Sequence, residues 1–342
     1  MYSAAKLILL LRIFADNTAK VAMTVTMFGG KINIHYLLKD KGSLLPLSFS
    51  LERNMREKII IEPAHNKLND LLIILDAQDE AKMNLVRGNI PFLAFGVFDP
   101  LVVGIKTNPL KRGYDFLPEC KENETILKRG ANLGGADALL NYIKDDLLPS
   151  LENEFGSFRT RAIIGWSLGG SFVNYLFLKD NDLLDAYIAI SPNFEYDKFQ
   201  FVELYNNFNF SDILNNKFLY MCIADEGEAI SQEWKIGFDK ITKKIKTSKT
   251  DKLHFTIEDF SKNENHISIY PLGLRNALFQ YFNFMLEAEI FIKSYKKYIE
   301  KYGINQGKSL IKKTLGILES QRMASLHEKI TLLQQEVTYP CD

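Results

Sequence analysis

The sequence predicts an α/β fold in which helices cover both faces of a mostly parallel sheet. Short apolar runs bounded by turn residues recur along the chain, and strands buried on both faces of a parallel sheet have this pattern. Segments with helical spacing of apolar residues lie between these runs. Strands and helices that alternate in this way indicate a parallel sheet between helical layers.

The predicted strands follow one another in this order. Residues 46–61 favour two short strands before Pro63, and residues 71–75 are a five-residue apolar run with polar residues on either side. The later strands are predicted at residues 101–105, 161–165, 186–190, 217–224 and 253–258.

The predicted helices fill the intervals between these strands. Residues 134–155 carry apolar side chains at helical spacing, and Pro149 is expected to kink or divide this helix because proline lacks an N–H donor. Further helices are predicted at residues 168–179, 229–246 and 271–300.

Three regions follow from this pattern. Residues 1–45 show no clear period and are an N-terminal extension of uncertain structure, whereas residues 46–290 carry the α/β pattern. Residues 291–342 are rich in Lys, Glu, Leu and Ile at helical spacing. They predict a C-terminal helical extension, which is the candidate surface for assembly into a homo-oligomer.

The composition is that of an ordinary globular chain. The 342 residues are 46 % hydrophobic and 25 % charged, and 42 basic residues balance 42 acidic ones. A chain with zero net charge lacks the basic field that attracts nucleic acid. The cysteines, Cys120, Cys222 and Cys341, are far apart, so the sequence predicts neither a disulfide framework nor a zinc site. Cys222 lies in an apolar run and is expected to be a buried, inert thiol.

The N-terminal residues bear on the compartment. Residues 4–15 form an apolar run that follows the pattern of a signal-peptide core, but Arg12 interrupts it and no small-residue cleavage site follows at once. The run is also too short to span a membrane. We therefore expect a cytoplasmic protein, with a periplasmic or secreted location as the alternative if residues 4–15 act as a signal.

The residues Gly165-Trp166-Ser167-Leu168-Gly169 carry the G-x-S-x-G pattern between a predicted strand and a predicted helix. This is the nucleophile elbow of the α/β-hydrolase fold, where a sharp turn exposes the serine hydroxyl and flanking glycines let the strand and helix pass closely. The sequence therefore predicts that Ser167 is a nucleophile. The backbone N–H of Leu168 is the first candidate donor to an oxyanion, and that of Ala77 or Gln78 is the second.

A serine nucleophile needs a base, and His266 is the candidate. It lies in a polar loop after the last predicted strand, so it follows Ser167 in the order that this fold requires. Of the other histidines, His254 lies on a predicted strand and is expected to pack there. His35 lies in the N-terminal region, His65 lies before the predicted strand at 71–75, and His327 lies in the helical tail.

The third catalytic group is expected to be a carboxylate after the strand at 217–224. The sequence Asp225-Glu226-Gly227-Glu228 offers three of them. Asp225 follows the strand directly, and Glu228 lies where a longer loop would place the acid. The residues do not decide between these carboxylates. The acid orients the histidine and stabilises its charged form.

Six segments, in chain order, resemble the putative-esterase family, which includes esterase D, enterochelin esterases and feruloyl esterases. The resemblance covers roughly residues 46–290. Trp166 stands where the family usually has histidine, and Ala77 stands where it usually has glycine. The six segments are Leu75-Asp76-Ala77, Arg112 to Pro118, Gly134 to Pro149, Gly165 to Gly170, Ser191-Pro192 and Asn265-His266-Ile267-Ser268.

The resemblance implies that the chain hydrolyses a carboxylic ester through an acyl-serine intermediate. It implies a small-molecule ester as substrate, with no metal or organic cofactor. Because some members of the family work with little help from an acid, a Ser–His dyad is an alternative. Two further alternatives are an acyltransferase on the same fold and a hydrolase fold that serves as a binding module without catalysis.

Overall fold

A computed structural model describes most of the chain from residue 59 to residue 285 and a hairpin before it. The chain divides into two compact units, Met1–Lys58 and Ile59–Asp342. The described residues are 21–28, 31–38, 59–62, 70–93, 98–121, 134–227, 232–248 and 250–285, with scattered positions between 296 and 331.

The first unit contains an antiparallel hairpin of β1 (Val21–Phe28) and β2 (Lys31–Leu38). Phe28 pairs with Lys31, which leaves two residues between the strands. The sequence there is Gly29-Gly30, a dipeptide that two-residue hairpin turns favour. No element is predicted for residues 1–45 from their periodicity, although this dipeptide is a signal for a hairpin.

The second unit is built on a seven-stranded sheet in the order β3-β5-β4-β6-β7-β8-β9. The six strands from β5 to β9 in this order are parallel, and β3 is an antiparallel edge strand. The strands are β3 (Ile59–Glu62), β4 (Asp70–Leu75), β5 (Leu101–Ile105), β6 (Thr160–Trp166), β7 (Ala186–Ile190), β8 (Lys217–Ile223) and β9 (Leu253–Asp259).

The centre of this sheet is buried on both faces. Every residue of β4, β5, β7 and β8 is buried, whereas β9 at the edge is mostly half-buried. This burial explains why the central strands are continuous apolar runs in the sequence. Each predicted strand from 71–75 onward is confirmed, with bounds that agree within one residue.

Helices connect the parallel strands. α1 and α8 pack against one face of the sheet, and α5 packs on β6 and β7. The helices are α1 (Glu80–Leu93), α2 (Arg112–Phe116), α3 (Ala136–Asn141), α4 (Leu148–Phe155), α5 (Leu168–Lys179), α6 (Tyr196–Asn207), α7 (Glu233–Thr247) and α8 (Ile269–Met285).

The predicted helix over 134–155 is divided, as Pro149 suggested. A wider, π-helical turn at Tyr142–Leu147 separates α3 from α4, and Pro149 lies in the first turn of α4. Because proline has no N–H, it is tolerated in a first turn but would interrupt a helix interior.

Some predictions fall outside the described residues. They include the strand predicted before Ile59 and most of the tail at 291–342. Among the scattered positions of the tail, Ile299 and Ile311 pack with the core that α1 and α8 form on the sheet. No helix in the described part of the chain is both long and apolar enough to cross a membrane.

Candidate active site

Ser167 lies at the turn between β6 and α5 with a strained backbone. Its φ is 59° and its ψ is −124°, a region that residues other than glycine rarely adopt. The N–H of Ser167 donates to the carbonyl oxygen of Ile190 at 2.9 Å, which ties the turn to the end of β7. Ser171 donates its N–H to the Ser167 carbonyl, so the helix begins directly after the serine. The turn has the strand-to-helix geometry that the motif predicts.

The glycines around Ser167 differ in how tightly they are enclosed. A Cβ atom on Gly165 would lie 2.2 Å from the carbonyl oxygen of Gly169, a distance that no side chain tolerates. A Cβ atom on Gly170 would meet the Ile190 carbonyl oxygen at 3.1 Å, but one on Gly169 would have only ordinary contacts. The close approach of strand and helix therefore requires Gly165 above all.

His266 pairs with Glu226. The Nδ1 of His266 donates to Oε2 of Glu226 at 2.5 Å, and both residues are buried. The other carboxylate oxygen, Oε1, accepts a hydrogen bond from the hydroxyl of Ser191. With its proton on Nδ1, the imidazole has its Nε2 available to accept a proton.

The carboxylate that pairs with His266 is Glu226, and not Asp225, which directly follows the strand. Asp225 pairs through its backbone with the histidine loop, because its N–H donates to the Glu264 carbonyl oxygen at 2.9 Å. Successive side chains of an extended segment point to opposite sides, so Asp225 is exposed and Glu226 is buried. The carboxylate of Asp225 accepts from the N–H of Gly227 instead. Glu228 lies outside the described residues.

Two tryptophans hold the imidazole of His266. The ring of Trp166 stacks on it with centroids 5.0 Å apart, and the ring of Trp234 meets it edge-on at 5.1 Å. The indole Nε1–H of Trp166 also donates to the carbonyl oxygen of His266 at 3.1 Å. Trp166, the departure from the family's usual histidine, thus fixes the loop that carries the candidate base.

The candidate oxyanion donors have different surroundings. Leu168 begins α5, where the first N–H groups have no intrahelical acceptor. Ala77 does not fit the expected role, because its N–H donates to the Ile105 carbonyl oxygen at 3.0 Å and so extends the pairing of β4 with β5. Gln78 is held at its side chain, where Oε1 accepts from the N–H of Thr107 at 2.9 Å. Among the described residues no acceptor occupies the N–H of Gln78, so it is the better of the two predicted donors.

A second buried carboxylate lies beside the elbow. Asp76 follows β4 with a φ of 59°, and both its oxygens accept from Nε of Arg112, at 2.9 and 2.8 Å. A terminal nitrogen of Arg112 donates to the Trp166 carbonyl oxygen at 3.2 Å, which joins this ion pair to the elbow. Lys82 lies 3.9 Å from Asp76. Burial lowers the pKa of Lys82, and the nearby carboxylate only partly offsets this effect.

Cys222 and His254 have the surroundings that the sequence predicts for them. Cys222 is buried, and burial raises the pKa of its thiol to about 12, so it is protonated and inert as predicted. His254 stacks on Phe218 with centroids 5.6 Å apart, which confirms its packing role. Among the residues that the structure describes, no group of three histidine, cysteine or acidic side chains could hold a metal ion.

Comparison with known proteins agrees with the motifs. A family model described as Putative esterase matches residues 102–235, from β5 to the start of α7. The ferri-bacillibactin esterase BesA of Bacillus subtilis is 28 % identical over 150 residues, which are 42 % of this chain and 51 % of BesA. The chain therefore spans about half the length of this relative. The resemblance that the motifs indicate is confirmed for this part of the chain.

Solved structures share the fold across most of the chain. An IroE-like serine hydrolase of Shewanella oneidensis is 17 % identical with a TM-score of 0.59, and the match covers 93 % of this chain and 99 % of that one. The BES protein of Bacillus cereus is 18 % identical with a TM-score of 0.53, and the match covers 76 % and 94 % of the two chains. The predicted α/β-hydrolase fold is thereby confirmed.

Proposed function

Because residues 102–235 match the Putative esterase family, we propose that this protein is a serine hydrolase that cleaves carboxylic esters through an acyl-serine intermediate. The observation that carries the proposal is the buried pair of Glu226 and His266, with 2.5 Å between Oε2 and Nδ1. A carboxylate on Nδ1 keeps the imidazole in the tautomer whose Nε2 can accept a proton. The strained turn at Ser167, which follows β6 at the same edge of the sheet, supplies the nucleophile.

The first half of the proposed reaction forms the acyl-enzyme. Nε2 of His266 takes the proton of Ser167 as Oγ bonds to the ester carbonyl carbon, and the carbonyl oxygen becomes an oxyanion. The N–H groups of Leu168 and Gln78 donate to that oxygen. The bond to the alcohol oxygen then breaks, and His266 returns the proton to the departing alcohol.

The second half releases the acid. A water molecule gives a proton to His266 and attacks the acyl carbon, and a second oxyanion forms at the same donors. Collapse of this intermediate frees the carboxylic acid and returns the proton to Ser167. Throughout, Glu226 stabilises the imidazolium that forms twice in each cycle.

For the substrate we propose a siderophore ester. The support is the name of the relative that matches by sequence, a ferri-bacillibactin esterase.

The test uses hydrolysis and covalent labelling together. We expect the wild-type protein to be labelled by a fluorophosphonate and to hydrolyse ferri-bacillibactin faster than short chromogenic esters. Ser167→Ala should abolish both signals, and Ser211→Ala, at an exposed serine, should change neither. If the wild type is labelled, Ser167→Ala is not, and no ester is turned over, a different acyl chemistry at Ser167 would be favoured. Unlabelled, folded wild-type protein would contradict the proposal.

A product assay separates hydrolysis from acyl transfer. With an alcohol added as acceptor, a hydrolase releases the free acid as its main product. A new ester as the main product would assign the acyl-serine to a transferase instead.

A further inference from the structure

Three central strands of the large sheet end on residues other than glycine with positive φ. Asp76 follows β4 at 59°, Ser167 follows β6 at 59°, and Ser191 follows β7 at 44°. Strain of this kind persists only where surrounding contacts enforce it, and it concentrates at functional sites. Ser167 carries the proposed chemistry and Asp76 the ion pair with Arg112. Ser191 is the strained strand end without an assigned purpose.

The turn at Ser191 does not need the serine hydroxyl. The N–H of Ser191 donates to the Cys222 carbonyl oxygen at 2.9 Å, which continues the pairing of β7 with β8. Pro192 follows and has no N–H with which to extend the strand. Any small side chain would allow these main-chain features. The hydroxyl of Ser191, on a fully buried side chain, donates to Oε1 of Glu226.

Glu226 therefore has one donor on each carboxylate oxygen. Ser191 binds Oε1 and His266 binds Oε2, and within the described part of the chain no lysine or arginine pairs with this carboxylate. The last torsion of a glutamate has a broad preference, so a single donor leaves the carboxylate plane free to turn. Two donors on opposite oxygens fix that plane and direct Oε2 at Nδ1 of His266.

We propose that Ser191 is a positioning residue that holds the carboxylate of Glu226 toward His266 and thereby orients the imidazole. Its kinetic effect rests on the proposed esterase function. The orientation of His266 is a property of the protein without substrate, so it can be measured separately.

The kinetic test compares two substitutions that remove the hydroxyl. Ser191→Ala keeps the Cβ atom and therefore the backbone strain at positive φ. Ser191→Gly removes the Cβ atom and relieves that strain, so this variant is expected to fold even if Ser191→Ala does not. Removal of a hydrogen bond to a charged group predicts that kcat falls about tenfold in both, with KM changed less than twofold. Urea denaturation reports folding for each variant.

A double substitution shows whether Ser191 acts through Glu226. In a Glu226→Gln background, Ser191→Ala should cause no further loss of kcat. An equal loss in the wild-type and Glu226→Gln backgrounds would overturn the proposal, because a structural role at the end of β7 does not depend on that carboxylate.

Proton NMR tests the orientation without any ester. The Nδ1–H resonance of His266, assigned by its absence in His266→Ala, should be retained in Ser167→Ala and should move or broaden in both Ser191 variants. An unchanged resonance in both would overturn the role of Ser191. A changed resonance, together with full hydrolysis by Ser167→Ala, would overturn the esterase proposal and leave the role of Ser191 standing.

Discussion

Two buried carboxylates lie on either side of the elbow, and they are compensated in different ways. Asp76 follows β4 and binds the guanidinium of Arg112, with 2.8 Å between the nearest atoms. Glu226 follows β8 and binds the imidazole of His266 and the hydroxyl of Ser191. A permanent cation neutralises the first carboxylate, whereas the second is held by an imidazole and a hydroxyl, neither of which carries a permanent charge.

Under the proposed function, this difference separates a structural carboxylate from one that serves chemistry. An ion pair with arginine keeps its charges at any ordinary pH, so it joins strand ends but cannot respond to a reaction. A carboxylate on an imidazole stabilises the charge that the base acquires during proton transfer. Position in the fold is similar for the two acids, and the partner distinguishes them.

The largest effect is expected at Glu226, the carboxylate that pairs with His266. Glu226→Gln should lower kcat/KM by about a thousandfold, because the amide can favour the wrong tautomer of His266 and carries no charge to stabilise the imidazolium. The free energy of unfolding should change little. Asp225→Asn is the matched control, and kcat/KM should stay within about twofold of wild type because this neighbouring carboxylate is exposed. An equal loss from Asp225→Asn would show that the acid role does not belong to Glu226 specifically.

The central sheet was predictable from the sequence because each of its strands is a local signal. A strand that is buried on both faces must be apolar throughout, so residues 101–105 and 186–190 could be bounded without their partners. The elbow at Ser167 is also local, since the strand, the serine and the helix are consecutive. The hairpin of β1 and β2 was missed although Gly29-Gly30 was a signal for it.

The carboxylate that pairs with His266 was not predictable, because the pairing depends on a contact between distant segments. Whether Asp225 or Glu226 faces His266 is decided by the pairing of Asp225 with Asn265, and a register change of one residue would exchange the two side chains. The same holds for Ala77, whose N–H is occupied by a carbonyl of the next strand. Spacing along the chain carries no information on either contact.

A smaller effect is expected at Asp76, the carboxylate that pairs with Arg112. Asp76→Asn leaves the charge of Arg112 without its buried partner, so the free energy of unfolding should fall by about 3 kcal/mol. Asparagine tolerates the positive φ at this position, so backbone strain does not add to the loss. Urea denaturation measures it, with Asp79→Asn as the control in the same turn, since asparagine can still cap α1 there. Equal stability of Asp76→Asn and wild type would show that the pair contributes nothing to the fold.

Trp166 joins the two carboxylate sites, because its carbonyl oxygen accepts from Arg112 and its indole donates to His266. Trp166→Phe keeps an aromatic ring but removes the indole donor, so kcat should fall about fivefold and the free energy of unfolding by about 1 kcal/mol. Trp234→Phe is the control, because its indole N–H has no hydrogen-bond partner among the described residues. A larger loss in Trp234→Phe would mean that the edge-on ring orients His266 more than the stacked one does.

The smallest expected effect concerns Lys82, the second cation beside Asp76. Burial lowers the pKa of Lys82 from 10.5, so the folded protein disfavours its charged form. This penalty is present at neutral pH and is relieved as the pH rises from the lowered pKa toward 10.5. Lys82→Met removes the penalty, so the free energy of unfolding should rise by about 0.5 kcal/mol at pH 7.

Urea denaturation of Lys82→Met and wild type at neutral and at alkaline pH measures this difference, which should shrink as the pH rises. A fall in stability of Lys82→Met at pH 7 would contradict the prediction. It would mean that the attraction of Lys82 to Asp76, and to the face of Trp166 at 5.0 Å, outweighs its burial. Arg112 alone would then be insufficient to compensate Asp76, and the structural carboxylate would depend on two cations.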